Sequence, residues 1–395
     1  MSDVTAAAQP TAGLRRVLTV LCITEITSWG VLYYAFPVLA PTISVHTGWS
    51  QSVLMAAFSL SLVVAAVVGV PVGRLLDRYG PMAVMTTGSV IAVPALIGVV
   101  TAQSVAVFFA SWFLAGVAMA GVLYQPAFAA VTRWYGPRRV AALTTVTLIA
   151  GLASTAFAPL TAALASHVDW RSVYLILAVV LAVVTIPLHF WGLRLPWPEA
   201  EREAVRHEPD EVARSRSFIA LVISMSLAAF AVYAVVVNMV PLLTGRGLST
   251  ATAAWALGLS GAGQVLGRLG YRRLVAATTV RSRTLIILLA AAATTALLAA
   301  VPALIILVGA LVGVTRGIFT LLQATAVPDR WGSAHYGRLS GLLAAPLTVT
   351  SAVAPWVGAA LAGWFGGYPE VFGVLAATGV LAAVVAMASA PRREE

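Results

Sequence analysis

Residues 105–131 read VAVFFASWFLAGVAMAGVLYQPAFAAV, an uninterrupted run without a charged side chain. A helix that crosses the hydrocarbon core of a bilayer needs about 20 apolar residues. Because no water is present there to satisfy backbone N–H and C=O groups, a run of this length must be helical. A strand of a membrane barrel would instead show about ten residues of alternating character. The stretch therefore predicts a transmembrane helix.

Eleven further runs of this kind fill most of the 395-residue chain. Hydrophobic residues make up 60% of the sequence and charged residues 10%, so a soluble globule could not bury the apolar surface. We predict an all-α membrane protein with twelve transmembrane helices. They occupy residues 17–43, 53–72, 83–101, 105–131, 140–165, 173–193, 218–243, 252–269, 284–300, 302–327, 339–363 and 371–390.

One segment differs from the rest in composition. Residues 194–217 combine prolines, acidic residues and arginines between the sixth and seventh runs, which is typical of a solvated loop. We predict an N-terminal six-helix bundle over residues 1–193, a cytoplasmic linker loop over residues 194–217 and a C-terminal six-helix bundle over residues 218–395.

The distribution of arginine predicts the orientation. All 24 basic residues are arginines, and with the amino terminus inside, 21 of them, Arg268 included, lie on inner loops and tails. Two lie on outer loops and one, Arg316, lies within a span. The positive-inside rule then places both termini in the cytoplasm. We expect a multi-pass protein of a bacterial inner (plasma) membrane, whose charge of +10 reflects topology rather than nucleic-acid binding.

The two halves repeat each other. Gly69-Val-Pro-Val-Gly73-Arg74 matches Gly263-Gln-Val-Leu-Gly267-Arg268, Arg133-Trp134 matches Arg330-Trp331, and Ala158-Pro159 matches Ala354-Pro355. The offsets are nearly constant, which makes chance matches improbable. Two related six-helix halves predict a transporter with its substrate site between them, near the middle of the membrane.

The loop after the second run carries a motif. It reads Gly73-Arg-Leu-Leu-Asp77-Arg78-Tyr-Gly80 and resembles the inner-loop signature of the major facilitator superfamily. The resemblance implies the twelve-helix fold of that family, secondary transport by alternating access, and a central cavity lined by spans one, four, seven and ten. It also implies a gating motif of Gly73, Asp77, Arg78 and Gly80. In that motif Gly73 allows close helix approach and Asp77 latches one conformation.

Three further stretches resemble the monocarboxylate-porter and oxalate/formate-exchanger group of the superfamily. They are Ser28-Trp29-Gly30, Gly48-Trp49-Ser50 and Trp134-Tyr135-Gly-Pro-Arg138-Arg139. The match departs from the group's pattern at Pro137 and Thr144. That group is described with its key basic residue in the eighth span, and here the basic residue predicted inside a span is in the tenth.

Proton-driven drug exporters of the superfamily have two features that this chain lacks. Their fourth span carries an arginine where this sequence has Trp112, and their fifth span carries a glycine before the proline where this sequence has Ala158. These departures weigh against a drug exporter, which stays open as the alternative function.

Glu25 and Arg316 are the charged residues that the sequence places well inside spans. Such groups are costly in a bilayer, so they need a partner, a wet cavity or a function. We predict that Arg316 binds an anionic substrate, since a guanidinium holds a carboxylate through two hydrogen bonds. We predict that Glu25 couples transport to protons. For Arg316 the alternatives are a structural bridge to Glu25 and pairing with backbone carbonyls. For Glu25 the alternative is a polar anchor near the inner interface.

Further candidates for the substrate site are polar and aromatic residues of the cavity-lining spans, because a site for a small solute needs a few polar groups on apolar walls. They are Trp29, Tyr33, Tyr124, Gln125, Asn238 and Gln323. The resulting prediction is a secondary active transporter of a small, monocarboxylate-like organic anion, with protons as the coupling ion. The alternatives are a proton-coupled exporter of a drug-like or toxic compound and a non-transporting membrane sensor or scaffold.

The sequence shows no nucleotide-binding loop, metal cluster or nucleophile–base pair. We therefore expect no enzyme activity, no catalytic residue, no cofactor and no metal site. The expected partners are a small-molecule substrate, protons and the lipid bilayer, without nucleic acid, and the expected state is a monomer.

Overall fold

The computed structural model describes residues 11–197, 210–300, 304–331 and 336–389, and these residues are almost entirely helical. The main helices are Thr11–Trp29, Ala35–Thr47, Gln51–Thr101, Val105–Val122, Tyr124–Tyr135, Arg139–Ala150, Ala153–Ala165, Trp170–Pro187, Arg216–Gly245, Thr250–Ala277, Val280–Ala300, Ile305–Thr325, Tyr336–Phe365 and Tyr368–Ala386. Short helices Asp210–Arg214 and Pro328–Trp331 lie in connections.

These helices form twelve spans. The first, fourth and fifth spans each consist of two helices in line, and Gln51–Thr101 supplies both the second and the third span. Eleven stretches are long and apolar enough to cross a membrane by length and composition. The remaining helix, Thr250–Ala277, is the eighth span and is less apolar because it carries several arginines. Residues 302, 303 and 390 of the predicted spans lie outside the described residues.

At least five of the twelve spans begin at a capping side chain. The hydroxyl oxygens of Ser50, Ser104, Ser215 and Ser249 each accept a hydrogen bond from a backbone N–H of the first turn that follows. Asp169 does the same for the sixth span. The first N–H groups of a helix have no partner within it, so these caps determine where the second, fourth, sixth, seventh and eighth spans start.

The turn between the second and third spans depends on glycine. Gly80 has φ 76° and ψ 171°, a backbone conformation that residues with a Cβ atom rarely adopt. The start of the predicted linker packs nearby, since Trp197 meets Trp134 at 5.6 Å between ring centroids and Pro196 accepts a hydrogen bond from the Trp134 indole. This part of the linker is therefore docked, and residues 198–209 lie outside the described residues.

The apolar core shows how the halves meet. We call the end of the bundle that holds Leu14, Gly80 and Ser389 the arginine-rich end. At the opposite end, one continuous core takes side chains from all twelve spans, with Phe36 and Val236 among them. At the arginine-rich end the core divides into one cluster within each half. In the described residues the halves are thus packed together at one end and separate at the other.

Candidate functional site

Three spans of the N-terminal half are irregular at mid-depth. The first contains a π-helical turn, Gly30–Tyr34, in which the Ala35 N–H bonds to the Gly30 carbonyl. The fourth breaks at Leu123, between helices Val105–Val122 and Tyr124–Tyr135, and Pro126 has no N–H to bond to the Val122 carbonyl four residues before it. The fifth breaks between helices Arg139–Ala150 and Ala153–Ala165. Broken helices at membrane depth are tolerated where they line a cavity, and they mark binding sites in transporters.

The tenth span holds Arg316 close to the eighth. A Cβ on Gly313 would lie 1.8 Å from the Ser260 carbonyl oxygen, and one on Gly317 would lie 2.1 Å from that of Gln264. Small residues at this spacing let two membrane helices touch along their backbones. Arg316 lies between these two glycines in the sequence, so the contact between the two helices determines the position of its Cα atom.

Arg316 reaches across the interface between the halves. Its side chain is 7% exposed, and its Nη1 donates a hydrogen bond of 3.1 Å to the hydroxyl of Tyr34 in the first span. The guanidinium also lies over the ring of Tyr233 in the seventh span, 5.5 Å from the centroid. A guanidinium has five N–H donors, and among the described residues only Tyr34 accepts from it. The unused donors can bind an anion.

A cluster of aromatic rings extends from Tyr34, the hydrogen-bond partner of this guanidinium. Trp29 meets Tyr33 at 5.3 Å, Tyr34 at 6.5 Å and Tyr124 at 4.9 Å between centroids. The predicted residues Trp29, Tyr33, Tyr124 and Arg316 therefore belong to one cluster. The π-helical turn explains why adjacent Tyr33 and Tyr34 both face inward, since such a turn changes the helical register.

Glu25 is fully buried one turn before Trp29. Its Oε2 accepts a hydrogen bond of 3.1 Å from the Trp29 indole nitrogen, and its Oε1 has no hydrogen-bond partner in the described part of the chain. No ion pair joins it to Arg316; the ion pair between described residues is Arg283–Asp329. The Arg316–Glu25 bridge that the sequence left open is thus not formed in this conformation.

The structure adds Arg268 to the site. The sequence places it at the end of the predicted span 252–269 and counts it with the inner-loop arginines, whereas helix Thr250–Ala277 continues past it and its side chain turns to the other half. Its Nη1 donates to the Thr147 carbonyl of the fifth span at 2.5 Å, and its Nε is buried without a partner among the described residues. Arg268 also interacts electrostatically with Arg316 and with Tyr124. A second guanidinium therefore faces the same cluster.

Three predicted residues lie at its margin or elsewhere. Gln125 is exposed and packs its Oε1 against Gly69 of the second span. Gln323 lies two turns after Arg316 and is half-buried. Asn238 is buried in the packing of the seventh span on the eleventh, where it donates to the carbonyls of Ala234 at 2.9 Å and Pro355 at 3.5 Å. The structure does not bring Asn238 to the cluster.

The gating motif lies at the arginine-rich end. A Cβ on Gly73 would meet no described atom within 4 Å, so the close helix approach expected there is absent in this conformation. The physical reason is the separation of the two halves at this end. Arg78 lies 5.1 Å from the ring centroid of Tyr79, and a Cβ on Gly80 would lie 3.3 Å from Trp197. The side chain of Asp77 lies outside the described residues.

The corresponding end of the C-terminal half is held by polar contacts. Arg330 donates to the carbonyl and hydroxyl of Ser389, both at 3.2 Å, and to the Thr284 hydroxyl at 3.0 Å. Burial lowers the pKa of Arg330 to about 10, so the group stays charged at neutral pH. Asp329 forms its ion pair with Arg283 beside these contacts. They tie the connection after the tenth span to the ninth and twelfth spans.

Comparison with known proteins agrees with this architecture. The chain is 27% identical over 165 residues to "Uncharacterized MFS-type transporter YcxA" of Bacillus subtilis (strain 168), covering 40% of this chain and 39% of the relative. It is 32% identical over 155 residues to "Uncharacterized 38 kDa protein in 23S RNA operon" of Thermoproteus tenax, covering 39% and 40%. The chain thus spans about two fifths of the length of these curated relatives.

Solved structures resemble the fold over nearly its whole length. A bacterial homolog to the human lysosomal transporter Spinster, in its inward-facing and unoccupied conformation, has TM-score 0.72 and 15% identity and covers 96% of both chains. A mutant of the nucleoside transporter NupG has TM-score 0.73 and 15% identity, covering 95% of this chain and 99% of that one. The Major Facilitator Superfamily pattern matches residues 21–300 and 221–395. The chain belongs to the major facilitator superfamily.

Proposed function

We propose that this protein is a secondary active transporter that moves a small, monocarboxylate-like organic anion across the membrane by alternating access. The observation that carries the proposal is the environment of Arg316. The guanidinium is almost fully buried at mid-depth, has no carboxylate partner among the described residues and keeps most of its donors unused. An uncompensated charge in such a place is costly unless a ligand pairs with it.

The charge of the cluster supports an anion. Two guanidinium groups, those of Arg316 and Arg268, face tyrosines and a tryptophan, and the acid in the cluster is Glu25. Glu25 pairs with the indole of Trp29 and with neither arginine. A carboxylate can accept two parallel hydrogen bonds from one guanidinium, which gives a small organic acid a firm position.

The two ends of the bundle support alternating access. The halves share a core at one end and are separate at the other, so we expect the substrate to reach the cluster from the arginine-rich end. Arg316 and Tyr34 belong to different halves, and an anion bound there contacts both. A ligand that interacts differently with the two arrangements of the halves shifts the equilibrium between them.

Glu25 is the proposed proton carrier. A carboxyl group with one unpaired buried oxygen is costly as an anion and acceptable as a neutral acid, so substrate binding nearby can be linked to proton uptake. The drug-exporter alternative has less support, because Trp112 lies fully buried among Phe36, Phe58 and Phe108, where an exporter would carry its arginine.

We further propose a location in the cytoplasmic membrane with both termini inside, which makes the present conformation inward-facing. Reporter fusions at Gly13 and after Ser389 should both indicate the cytoplasm. An external signal from either fusion would contradict the orientation.

The test of function is uptake by proteoliposomes. Purified protein is reconstituted and offered a panel of radiolabelled carboxylic acids, with and without an inward proton gradient. The proposal predicts accumulation of at least one acid above protein-free liposomes, increased by the gradient. Accumulation of none of the acids, with a neutral solute transported instead, would contradict an anion transporter.

A further inference from the structure

We infer that the anion which this site accepts carries an aromatic ring, so that an aryl carboxylate binds in preference to an aliphatic acid of the same size. The inference rests on the proposed anion site and names its substrate class. It is carried by the aromatic rings beside Arg316, by their partial exposure at mid-membrane, and by an unpaired tyrosine hydroxyl among them.

Four aromatic side chains of the site are partly exposed. They are Trp29, Tyr124 and Phe128 of the N-terminal half and Tyr233 of the C-terminal half, whereas Tyr33 and Tyr34 are buried. They come from spans one, four and seven, and so lie on both sides of the interface between the halves. We call these four rings the aromatic wall.

The rings of the aromatic wall lie deep in the membrane. Aromatic residues of membrane proteins gather at the two membrane–water interfaces, where their polar atoms meet headgroups. Trp29, Tyr124 and Tyr233 lie near the middle of their spans instead, and Tyr233 lies beside the buried Arg316. An interfacial anchoring role therefore does not explain them.

The rings of the wall are inclined to one another. Trp29 and Tyr124 lie 4.9 Å apart with planes inclined at 47°, so they do not cover each other fully. Tyr124 stacks on Phe128 at 4.8 Å and 21° on its other side. Aromatic pairs favour offset or edge-to-face arrangements, and the ring of a bound ligand can adopt such an arrangement against the partly exposed Trp29 and Tyr124.

The aromatic wall lies close to the charge of Arg316. Tyr34 contacts Trp29 at 6.5 Å and accepts the hydrogen bond from Arg316, so the guanidinium is one ring away from the Trp29–Tyr124 pair. The Tyr33 hydroxyl is buried without a partner in the described residues and interacts electrostatically with Arg316. A carboxylate on Arg316 gives this hydroxyl an acceptor, and a ring attached to that carboxylate reaches the aromatic wall.

The experiment compares three ligands by isothermal titration calorimetry on the purified full-length protein. Benzoate carries the ring and the charge, cyclohexanecarboxylate has a six-carbon ring of similar size with the same charge, and benzyl alcohol has the aromatic ring without the charge. We expect benzoate to bind roughly three- to tenfold more tightly than cyclohexanecarboxylate, the range that a favourable ring contact supplies. Benzyl alcohol should not bind measurably.

Substitutions in the aromatic wall test whether these rings cause the preference for the aromatic acid. Trp29→Leu should make the two acids bind equally, and Trp364→Leu, at a tryptophan 85% exposed far from the cluster, should leave the preference unchanged. If Trp29→Leu does not fold, Tyr124→Leu and Tyr124→Phe replace it. The phenylalanine variant keeps a ring and should keep the preference, while the leucine variant should lose it.

The outcomes separate the two proposals. Equal binding of benzoate and cyclohexanecarboxylate to the wild-type protein would overturn the aromatic preference and leave the anion site standing. Failure of both acids, or equal binding of benzyl alcohol and benzoate, would overturn the anion site itself.

Discussion

Arg316 donates a 3.1 Å hydrogen bond to the hydroxyl of Tyr34, and this bond joins the tenth span of one half to the first span of the other. The residue proposed to hold the substrate is therefore also a contact between the two parts that must move. An anion that competes with Tyr34 for the guanidinium changes the connection between the halves. Substrate binding and conformational change can be coupled at this single position.

Glu25→Gln should abolish the stimulation of transport by a proton gradient while binding of the anion is retained. Glutamine keeps a side-chain oxygen that can accept from the Trp29 indole, so the hydrogen bond of the wild type can persist while the titrating group is lost. The measurement is proteoliposome uptake with and without the gradient, beside calorimetric binding. If the proton gradient still stimulates transport fully in this variant, a group other than Glu25 carries the coupling proton.

Arg268→Gln should weaken anion binding about fivefold, less than the loss at Arg316, because its guanidinium is partly engaged with the Thr147 carbonyl. A charge that faces the ligand without holding it directly contributes about 1 kcal/mol in a partly wet site. Arg273→Gln is the matched control, since Arg273 is exposed further along the same helix. An equal effect of both variants would mean that the effect reflects general surface charge.

Gly80→Ala should destabilise the protein by about 1–3 kcal/mol, because alanine is strained at φ 76°. Gly73→Ala is the control in the same motif: Gly73 is helical and a Cβ there meets no described atom within 4 Å. Helical alanine is favoured over glycine by roughly 0.5–1 kcal/mol, so this control should be neutral or slightly stabilising. Thermal unfolding of the two variants in one detergent measures the difference, and equal melting temperatures would count against the strain argument.

Asp77→Asn should slow transport at saturating substrate more than it weakens binding. The motif implies that the Asp77 carboxylate stabilises one conformation, so its loss shifts a population and leaves the site intact. Calorimetric affinity and maximal uptake rate should be measured on the same preparation. An unchanged maximal rate would argue against a gating role.

The twelve spans and two halves were predictable because a membrane helix is determined by the length of an apolar run, which does not depend on tertiary context. Regular helix spacing also puts residues four apart, such as Trp29 and Tyr33, on one face, and their rings meet at 5.3 Å. The inward position of Tyr34 does not follow from regular helix spacing, because the π-helical turn Gly30–Tyr34 changes the helical register. That turn was not predicted from the sequence of this span.

The sequence did not indicate which neighbours Arg268 and Asn238 would contact. Arg268 falls at the end of the predicted span 252–269 and was counted with the inner-loop arginines, and the structure brings it beside Thr147 of the other half. Asn238 lies on a cavity-lining span, but rotation of that helix turns it toward Pro355 and Gly358 of the eleventh span. Helix rotation depends on packing with neighbours, which the sequence of one span does not determine.

The most direct test of the account is anion binding to Arg316→Gln and to the Glu25→Gln, Arg316→Gln double variant, with Arg316→Lys alongside. Calorimetric titration of monodisperse protein with benzoate should show binding lost in Arg316→Gln, partly kept in Arg316→Lys and still lost in the double variant, since a fixed guanidinium holds the carboxylate. Wild-type affinity in Arg316→Gln, or recovery in the double variant, would show that Arg316 serves the scaffold and would contradict the proposed site.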